Sequence, residues 1–441
     1  MRSASRTDSI SVCPFMGDRS DAPDLSLPPA LRAPSARRFI PTAGLLPIMT
    51  DYREPEGDVE SLSPDALADR LDAGQPVRLL DVRNRDEYEE WHIDGPSVTT
   101  ALVPYMQWLQ ADATDSVAER AADIDGEGPI VAVCARGEAS AYVADLLDRA
   151  GYDARNLADG MEGWARVSRT TDLPTDGAAT VVQYRRPASG CLGYMVTAGD
   201  EAVVVDPLRA FVDRYVADAE ERGATITHVV DTHVHADHVS GLRELADRTG
   251  ATPLMPHMAI ERGVEYDVEP IIHGETIPVG DTALEALHLP GHTTGMTAFH
   301  VAGVLLAGDS LFVESVARPD LEQGADGAPA LAAQLYESLT ERLADLPDET
   351  LVAPGHYSEA ATPAADGSYT ATLGELRERL RVFAMDRNEF TGRIVMDMPD
   401  RPANFERIIA INLGRVEPDE GEAFELELGP NNCAASPEAA D

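Results

Sequence analysis

The chain has 441 residues, with 35 basic side chains against 77 acidic ones and a formal net charge of −42. That length predicts two or three domains with sizeable cores, and 44% hydrophobic residues exclude a wholly disordered chain. No stretch approaches the roughly 18 uninterrupted apolar residues of a membrane span, and an acidic field repels nucleic acid and anionic membranes, so neither is an expected partner.

All 35 basic residues are arginine; there is no lysine. Self-repulsion on this scale destabilises a compact chain unless salt screens it, and at molar salt the screening length falls to roughly 3 Å. The composition therefore reads as halophilic, and folding is expected to depend on salt. Circular dichroism against KCl concentration tests this, and native structure with unchanged stability in salt-free buffer would refute it. Four cysteines are too few for a disulfide scaffold, which points to a cytoplasmic protein.

Residues 1–48 differ from the rest. Six arginines, four aspartates and no glutamate give them a net positive charge, and seven prolines interrupt any apolar period. They are expected to be a disordered extension, or an over-extended start with translation beginning at Met49. Arg37-Arg38 faintly resembles a twin-arginine signal, but Pro41 and Pro47 break the apolar run that would follow.

Residues 58–172 alternate strand and helix, which argues for a parallel α/β sheet. Ser63-Pro64-Asp65 opens a helix, Val77–Val82 and Ile130–Val133 read as buried strands, and a helix is expected from about Ala139 to Ala150. Cys134 thus falls between a strand and a helix N-terminus, where backbone N–H groups and the helix dipole lower a thiol's pKa and stabilise an anion. A lone cysteine is more often a buried apolar residue. The surroundings decide: Leu80-Asp81-Val82-Arg83 and His92-Ile93-Asp94-Gly95 upstream, with Asp159-Gly160-Met161-Glu162-Gly163-Trp164 downstream, resemble a rhodanese domain. The resemblance implies that Cys134 is the catalytic residue, carrying sulfane sulfur as a persulfide in a sulfurtransferase, with Arg136 a candidate for substrate contact. Ala139 stands where many family loops carry arginine, and Trp91 and Pro96 also depart from the family pattern. Cys13, Cys191 and Cys433 lack a comparable setting and are assigned no role.

After a short linker, residues 178–430 form a second, larger unit of β-rich segments and strand–loop–helix blocks. Its densest signal is Thr232-His233-Val234-His235-Ala236-Asp237-His238, a loop after the apolar run Ile226–Val230. Imidazole and carboxylate together suit zinc or iron, whereas calcium wants oxygen donors alone. His292, Asp309 and His356 each follow a glycine just after an expected strand, where the backbone can turn toward a shared centre. Isolated histidines (His228, His257, His273, His288, His300) read as structural.

These four motifs in order resemble the metallo-β-lactamase superfamily. The resemblance implies an α/β two-domain chain: a rhodanese parallel-sheet domain followed by an αββα sandwich with the metal site along one edge, supported by Asp206. Within the superfamily, Arg318-Pro319-Asp320-Leu321-Glu322-Gln323-Gly324 resembles a stretch of the persulfide dioxygenases. That resemblance implies a single Fe(2+) held by His233, His292 and Asp309, with His235, Asp237, His238 and His356 supporting the ligands. Arg318 and Asp320 become candidates for substrate contact. The activity implied is oxidation of a low-molecular-weight thiol persulfide with O2 to sulfite. The alternative is a dinuclear hydrolase similar to glyoxalase II, with two Zn(2+) per chain, His235, Asp237, His238 and His356 as direct ligands, and a regulatory rhodanese domain. A non-enzymatic sulfur-binding protein would leave a complete ligand set idle. A homo-oligomer is left open.

Overall fold

The computed structural model describes residues 52–441 apart from 178, 359, 397, 430, 437–439 and 441, so the expectation for residues 1–48 lies outside the described residues. The first domain is built on five parallel strands, β1 (Ser61–Leu62), β2 (Val77–Asp81), β3 (Val98–Leu102), β4 (Ile130–Val133) and β5 (Ala154–Leu157), in the order β1-β5-β4-β2-β3. Ile130–Val133 is buried throughout, as a central parallel strand covered on both faces requires. The helix Pro64–Asp72 starts as its residues dictate: the Ser63 hydroxyl accepts from Ala66 N at 3.2 Å, and Pro64 occupies the first turn, where it needs no N–H. The helix Glu138–Arg149 follows β4 and packs Tyr142, Val143, Leu146 and Leu147 into the core.

The second domain is a four-layer sandwich. One sheet runs β12-β11-β10-β9-β8-β7-β6, from β6 (Arg169–Leu173) through β7 (Thr180–Arg186), β8 (Cys191–Ala198), β9 (Glu201–Val205), β10 (Thr225–Val230) and β11 (Thr252–Pro256) to β12 (Glu269–Ile271). The other runs β13 (Thr276–Val279), β14 (Thr282–His288), β15 (Thr297–Val301), β16 (Val304–Gly308), β17 (Leu351–Pro354), β18 (Ala371–Thr372) in chain order. Between the sheets lies one core, with Tyr194, Val196, Val203 and Val205 facing Leu284, Ala286, Phe299 and Leu306. The outer face of the first sheet is covered by the helices Val212–Glu221 and Leu242–Thr249. Gly324–Glu337, Leu373–Arg379 and Arg387–Met396 cover the second. β8 is buried at every residue, and each large apolar side chain so buried contributes about 1.5–3 kcal/mol. This is the αββα architecture the motifs imply.

One boundary differs from the sequence reading, which ends the first domain at residue 172 and begins the linker at Leu173. Arg169–Leu173 is the edge strand of the second domain and pairs antiparallel with β7 from Arg169↔Arg185 to Leu173↔Val181. Arg-Thr-Thr-Asp-Leu has one buried apolar residue, as an edge strand with a solvated face permits, so its pattern does not reveal the sheet it joins. Among the described residues no helix is long and apolar enough to cross a membrane.

Candidate metal centre

The loops that leave β10, β14, β16 and β17 converge at one edge of the sandwich and carry His233–His238, His292, Asp309 and His356. Close approach depends on glycine. A Cβ on Gly355 would lie 2.4 Å from Asp309 Oδ1, and one on Gly308, whose φ is +49°, would lie 2.6 Å from Thr232 Oγ1. A side chain at Gly355 would displace the candidate ligand Asp309, and one at Gly308 would press on Met296 and on Thr232, the hydrogen-bond partner of His233.

Three donor atoms face one another without other partners. His233 Nε2, His292 Nε2 and Asp309 Oδ2 are buried, and none has a hydrogen bond. Asp309 Oδ2 lies 3.7 Å from each imidazole nitrogen. With metal–nitrogen and metal–oxygen bonds of roughly 2.0–2.2 Å, donors at this separation can reach one ion. The opposite side of each group decides which electron pair is free. His292 Nδ1 donates to Arg318 O at 2.9 Å; a carbonyl only accepts, so the proton sits on Nδ1 and Nε2 presents a lone pair. The Thr232 hydroxyl donates to Asp206 Oδ2 at 2.9 Å, so it accepts from His233 Nδ1, also at 2.9 Å, which again frees Nε2. Burial, reinforced by the neighbouring His235 and His292, holds His233 well below its usual pKa, and burial lowers His292 as well. Both rings are neutral and able to ligate. Burial tends to raise the Asp309 carboxyl, but His356 outweighs it and keeps Asp309 below its ordinary range. Buried unpartnered polar atoms are costly, and three converging ones fit a metal ion.

The remaining candidates form a second group that closes largely on itself. Asp237 Oδ2 accepts from His356 Nε2 at 2.6 Å, His238 Nδ1 at 3.1 Å and Cys191 Sγ at 3.2 Å. His356 Nδ1 donates to Asp309 Oδ1 at 2.7 Å, so both of its nitrogens face carboxylate oxygens. The two carboxylates lift His356 well above its usual pKa against the effect of burial. Asp237 Oδ1 and His238 Nε2 stay buried without partners. His235 turns Nε2 to Asp206 Oδ1 at 3.0 Å and leaves Nδ1 unpartnered.

Arg318 and Asp320 are differently placed from their sequence reading as substrate contacts. Arg318 is 1% exposed, and its guanidinium is committed to Asp320, Pro399 O, Asp400 O and Asn432 O, so no donor is directed at a substrate. Its backbone carbonyl, not its charge, meets the centre through His292. Cys191 and Cys433, set aside in the sequence, both lie at the site. Cys191 bonds Asp237, and Cys433 Sγ falls within 4.8 Å of ligand atoms of Asp309 and His356. Asn412 was also missed: its Nδ2 donates to His235 O at 3.0 Å and His238 O at 2.8 Å, and its Oδ1 accepts from Ser240 N at 2.9 Å. Nothing in a helix reading Phe405–Asn412 signals a clasp on a loop about 170 residues earlier.

In the first domain Cys134 is 6% exposed and its Sγ accepts from Gly137 N at 3.1 Å, with Ser140 Oγ at 3.2 Å. Gly137 takes φ +96° and leads directly into the helix at Glu138. The loop is braced from below, where Met161 N and Glu162 N donate to Cys134 O and Ala135 O. Arg136 points to the rim, held by Glu162 at 2.5 Å and near Glu425 at 4.0 Å.

The profile of the "Metallo-beta-lactamase superfamily" matches residues 186–356, and that of the "Rhodanese-like domain" matches residues 63–167. The chain is similar to hydroxyacylglutathione hydrolase of Erythrobacter litoralis, 30% identical over 45% of this chain and 72% of the relative. It is likewise similar to the human mitochondrial persulfide dioxygenase ETHE1, 31% identical over 44% of this chain and 76% of the relative. Among solved structures it resembles ETHE1 from Myxococcus xanthus, at 32% identity and a TM-score of 0.46, covering 53% of this chain and 97% of that one. With a buried His/Asp donor set on the edge of an αββα sandwich, the chain belongs to the metallo-β-lactamase superfamily, its metal-binding domain preceded by a rhodanese-like domain.

Proposed function

We propose that the chain is a persulfide dioxygenase with a sulfur-carrying rhodanese-like domain, in which His233, His292 and Asp309 hold one Fe(2+). The observation that carries this reading is the division of the donor atoms. Two neutral imidazoles and one carboxylate have free, converging electron pairs, while His356 has both nitrogens engaged by carboxylates and Asp237 Oδ2 already accepts three hydrogen bonds. Two histidines and a carboxylate on one side of an ion leave open positions, the arrangement suited to non-haem iron. When bound, the iron supplies binding and activation of O2 and of the persulfide's terminal sulfur.

The chain's own residues orient and shield. Arg318 O and Thr232 fix the tautomers of His292 and His233, Asp206 fixes Thr232, and His356 holds the outer oxygen of Asp309. Asp237, His238 and Cys191 form a hydrogen-bonded wall beside the ligands. The balance is one persulfide, one O2 and one water giving one thiol, one sulfite and two protons. Cys134 exchanges sulfane sulfur with the same low-molecular-weight pool, which makes a sulfur carrier a coherent neighbour for a persulfide oxidase and a poor one for a thioesterase.

The rival reading, a dinuclear zinc thioester hydrolase, draws on His235 Nδ1, Asp237 Oδ1 and His238 Nε2, which are buried and unpartnered, and on the similarity to hydroxyacylglutathione hydrolase. One experiment separates the two. Protein purified anaerobically should contain about one iron per chain, as a two-histidine, one-carboxylate site implies, consume O2 when given a thiol persulfide, and release sulfite. Two zinc ions per chain with rapid thioester turnover and no O2 uptake would reject the dioxygenase.

A further inference from the structure

The turn that joins β7 to β8, residues 186–191, is gripped by both domains. From the rhodanese-like side, Trp91 Nε1 donates to Ala188 O at 2.8 Å and Ala165 O accepts from Arg186 Nε at 2.9 Å. Trp91 is one of the residues that depart from the usual rhodanese pattern, and here its indole reaches across the domain boundary. From the metal side, Cys191 Sγ donates to Asp237 Oδ2 at 3.2 Å. Leu192 N donates to Gly355 O at 2.8 Å and Tyr357 N to Gly190 O at 3.0 Å, so the turn also brackets His356.

Arg186 extends this grip to the histidine-rich loop. Its Nη1 donates to Glu427 Oε2 at 2.6 Å, and Glu427 Oε1 accepts from Val239 N at 2.7 Å, the residue after His238. Arg186 is 1% exposed and Glu427 5% exposed. The helix Glu420–Leu426, just before Glu427, is held against the rhodanese-like domain by Phe424, whose ring lies 3.9 Å from the Arg166 guanidinium and 5.6 Å from that of Arg186. A buried ion pair is no better for stability than well-packed apolar residues of similar size. What this pair does that apolar residues cannot is present a fixed acceptor to the backbone of the metal loop.

We infer that Arg186, Glu427 and Trp91 are positioning residues of the metal centre, through which the rhodanese-like domain holds the Asp237–Val239 segment in its metal-binding conformation. Two routes converge on that segment: Trp91 through Ala188 to Cys191 and Asp237, and Ala165 through Arg186 and Glu427 to Val239. The inference stands for one iron or for two zinc ions, so it does not depend on the dioxygenase reading.

The test uses the full chain loaded with Co(II), followed by its visible absorption and by competition with a chelator. In the double variant Arg186→Met/Glu427→Leu the buried charges are gone, but Val239 N and Ala165 O lose their partners, so the metal-free protein should stay folded with a modestly lowered melting temperature. Its Co(II) affinity should nevertheless fall about 10–100-fold, the range typical of losing a group that orients ligands, with an altered cobalt spectrum. Glu427→Gln, which breaks the link to Arg186 with almost no change of shape, should move affinity and spectrum the same way and decides the matter if the double variant does not fold. Trp91→Phe, which removes the indole N–H donor and keeps a smaller aromatic ring, should give a smaller shift in the same direction. Wild-type cobalt affinity and spectrum in the folded double variant, or in Glu427→Gln, would overturn the inference and reduce the pair to a structural fastening.

Discussion

Asp309→Asn should empty the metal centre. The side chain has two tasks on opposite oxygens: Oδ2 faces His233 and His292 at 3.7 Å, and Oδ1 accepts from His356 at 2.7 Å. An amide of the same shape loses the negative charge that draws a hard divalent ion. Metal affinity should therefore drop by more than the roughly 10–100-fold that follows loss of an outer-lying partner, and O2 uptake with a persulfide should disappear. His356 keeps its bond to Asp237, so the fold should persist, and near-ultraviolet circular dichroism serves as the control. His238→Ala is the informative companion. With one ion on His233, His292 and Asp309, its loss removes support alone and should cost about 10–100-fold in affinity or activity. With two ions, His238 is a direct ligand, and about half the bound metal should vanish together with all hydrolysis. Metal content by elemental analysis distinguishes the outcomes, and full retention of metal in Asp309→Asn would remove this residue from the ligand set.

Cys134→Ser should abolish sulfane-sulfur transfer and leave O2 consumption with a supplied persulfide intact. The hydroxyl fits the loop, where Gly137 N lies 3.1 Å from the present sulfur, so neither the helix at Glu138 nor the brace from Met161 should change. Oxygen cannot form the persulfide, and an alcohol does not ionise in the range in which a thiol becomes a nucleophile. Cys191 is a poor substitute carrier: it is 1% exposed and its thiol is bound to Asp237. Undiminished transfer by the serine variant, measured as thiocyanate formed from a sulfane donor and cyanide, would end the sulfur-carrying reading of this domain. Loss of both activities together would instead make the two domains interdependent in turnover.

Much of the candidate centre was legible because it is local. A strand that ends in a short polar loop needs only neighbouring residues to declare itself, and β4 with Cys134, β10 with His233–His238, β16 with Asp309 and β17 with His356 all have that form. The apolar runs that fill the core between the sheets likewise stand in the sequence as strands, since Val, Ile and Leu buried on a pleated surface leave a recognisable pattern. Edge strand Arg169–Leu173 lacks that pattern, and the boundary expected at residue 172 cuts through it.

The sequence by itself determined the two domains, the order of the ligand-bearing loops and the residue types available to a metal. Tertiary structure alone decided which of those groups have electron pairs to offer. Arg318 reads as a substrate contact in the sequence and is a buried strut whose carbonyl orients His292, because two separate segments, at Pro399-Asp400 and at Asn432, fold over its guanidinium. Cys191, Asn412 and Glu427 carried no motif and yet hold Asp237, the His235–His238 backbone and Val239. The physical reason is competition for hydrogen bonds. An imidazole or carboxylate ligates with whatever atom its other partners leave free, and those partners come from strands, loops and helices far away in the chain.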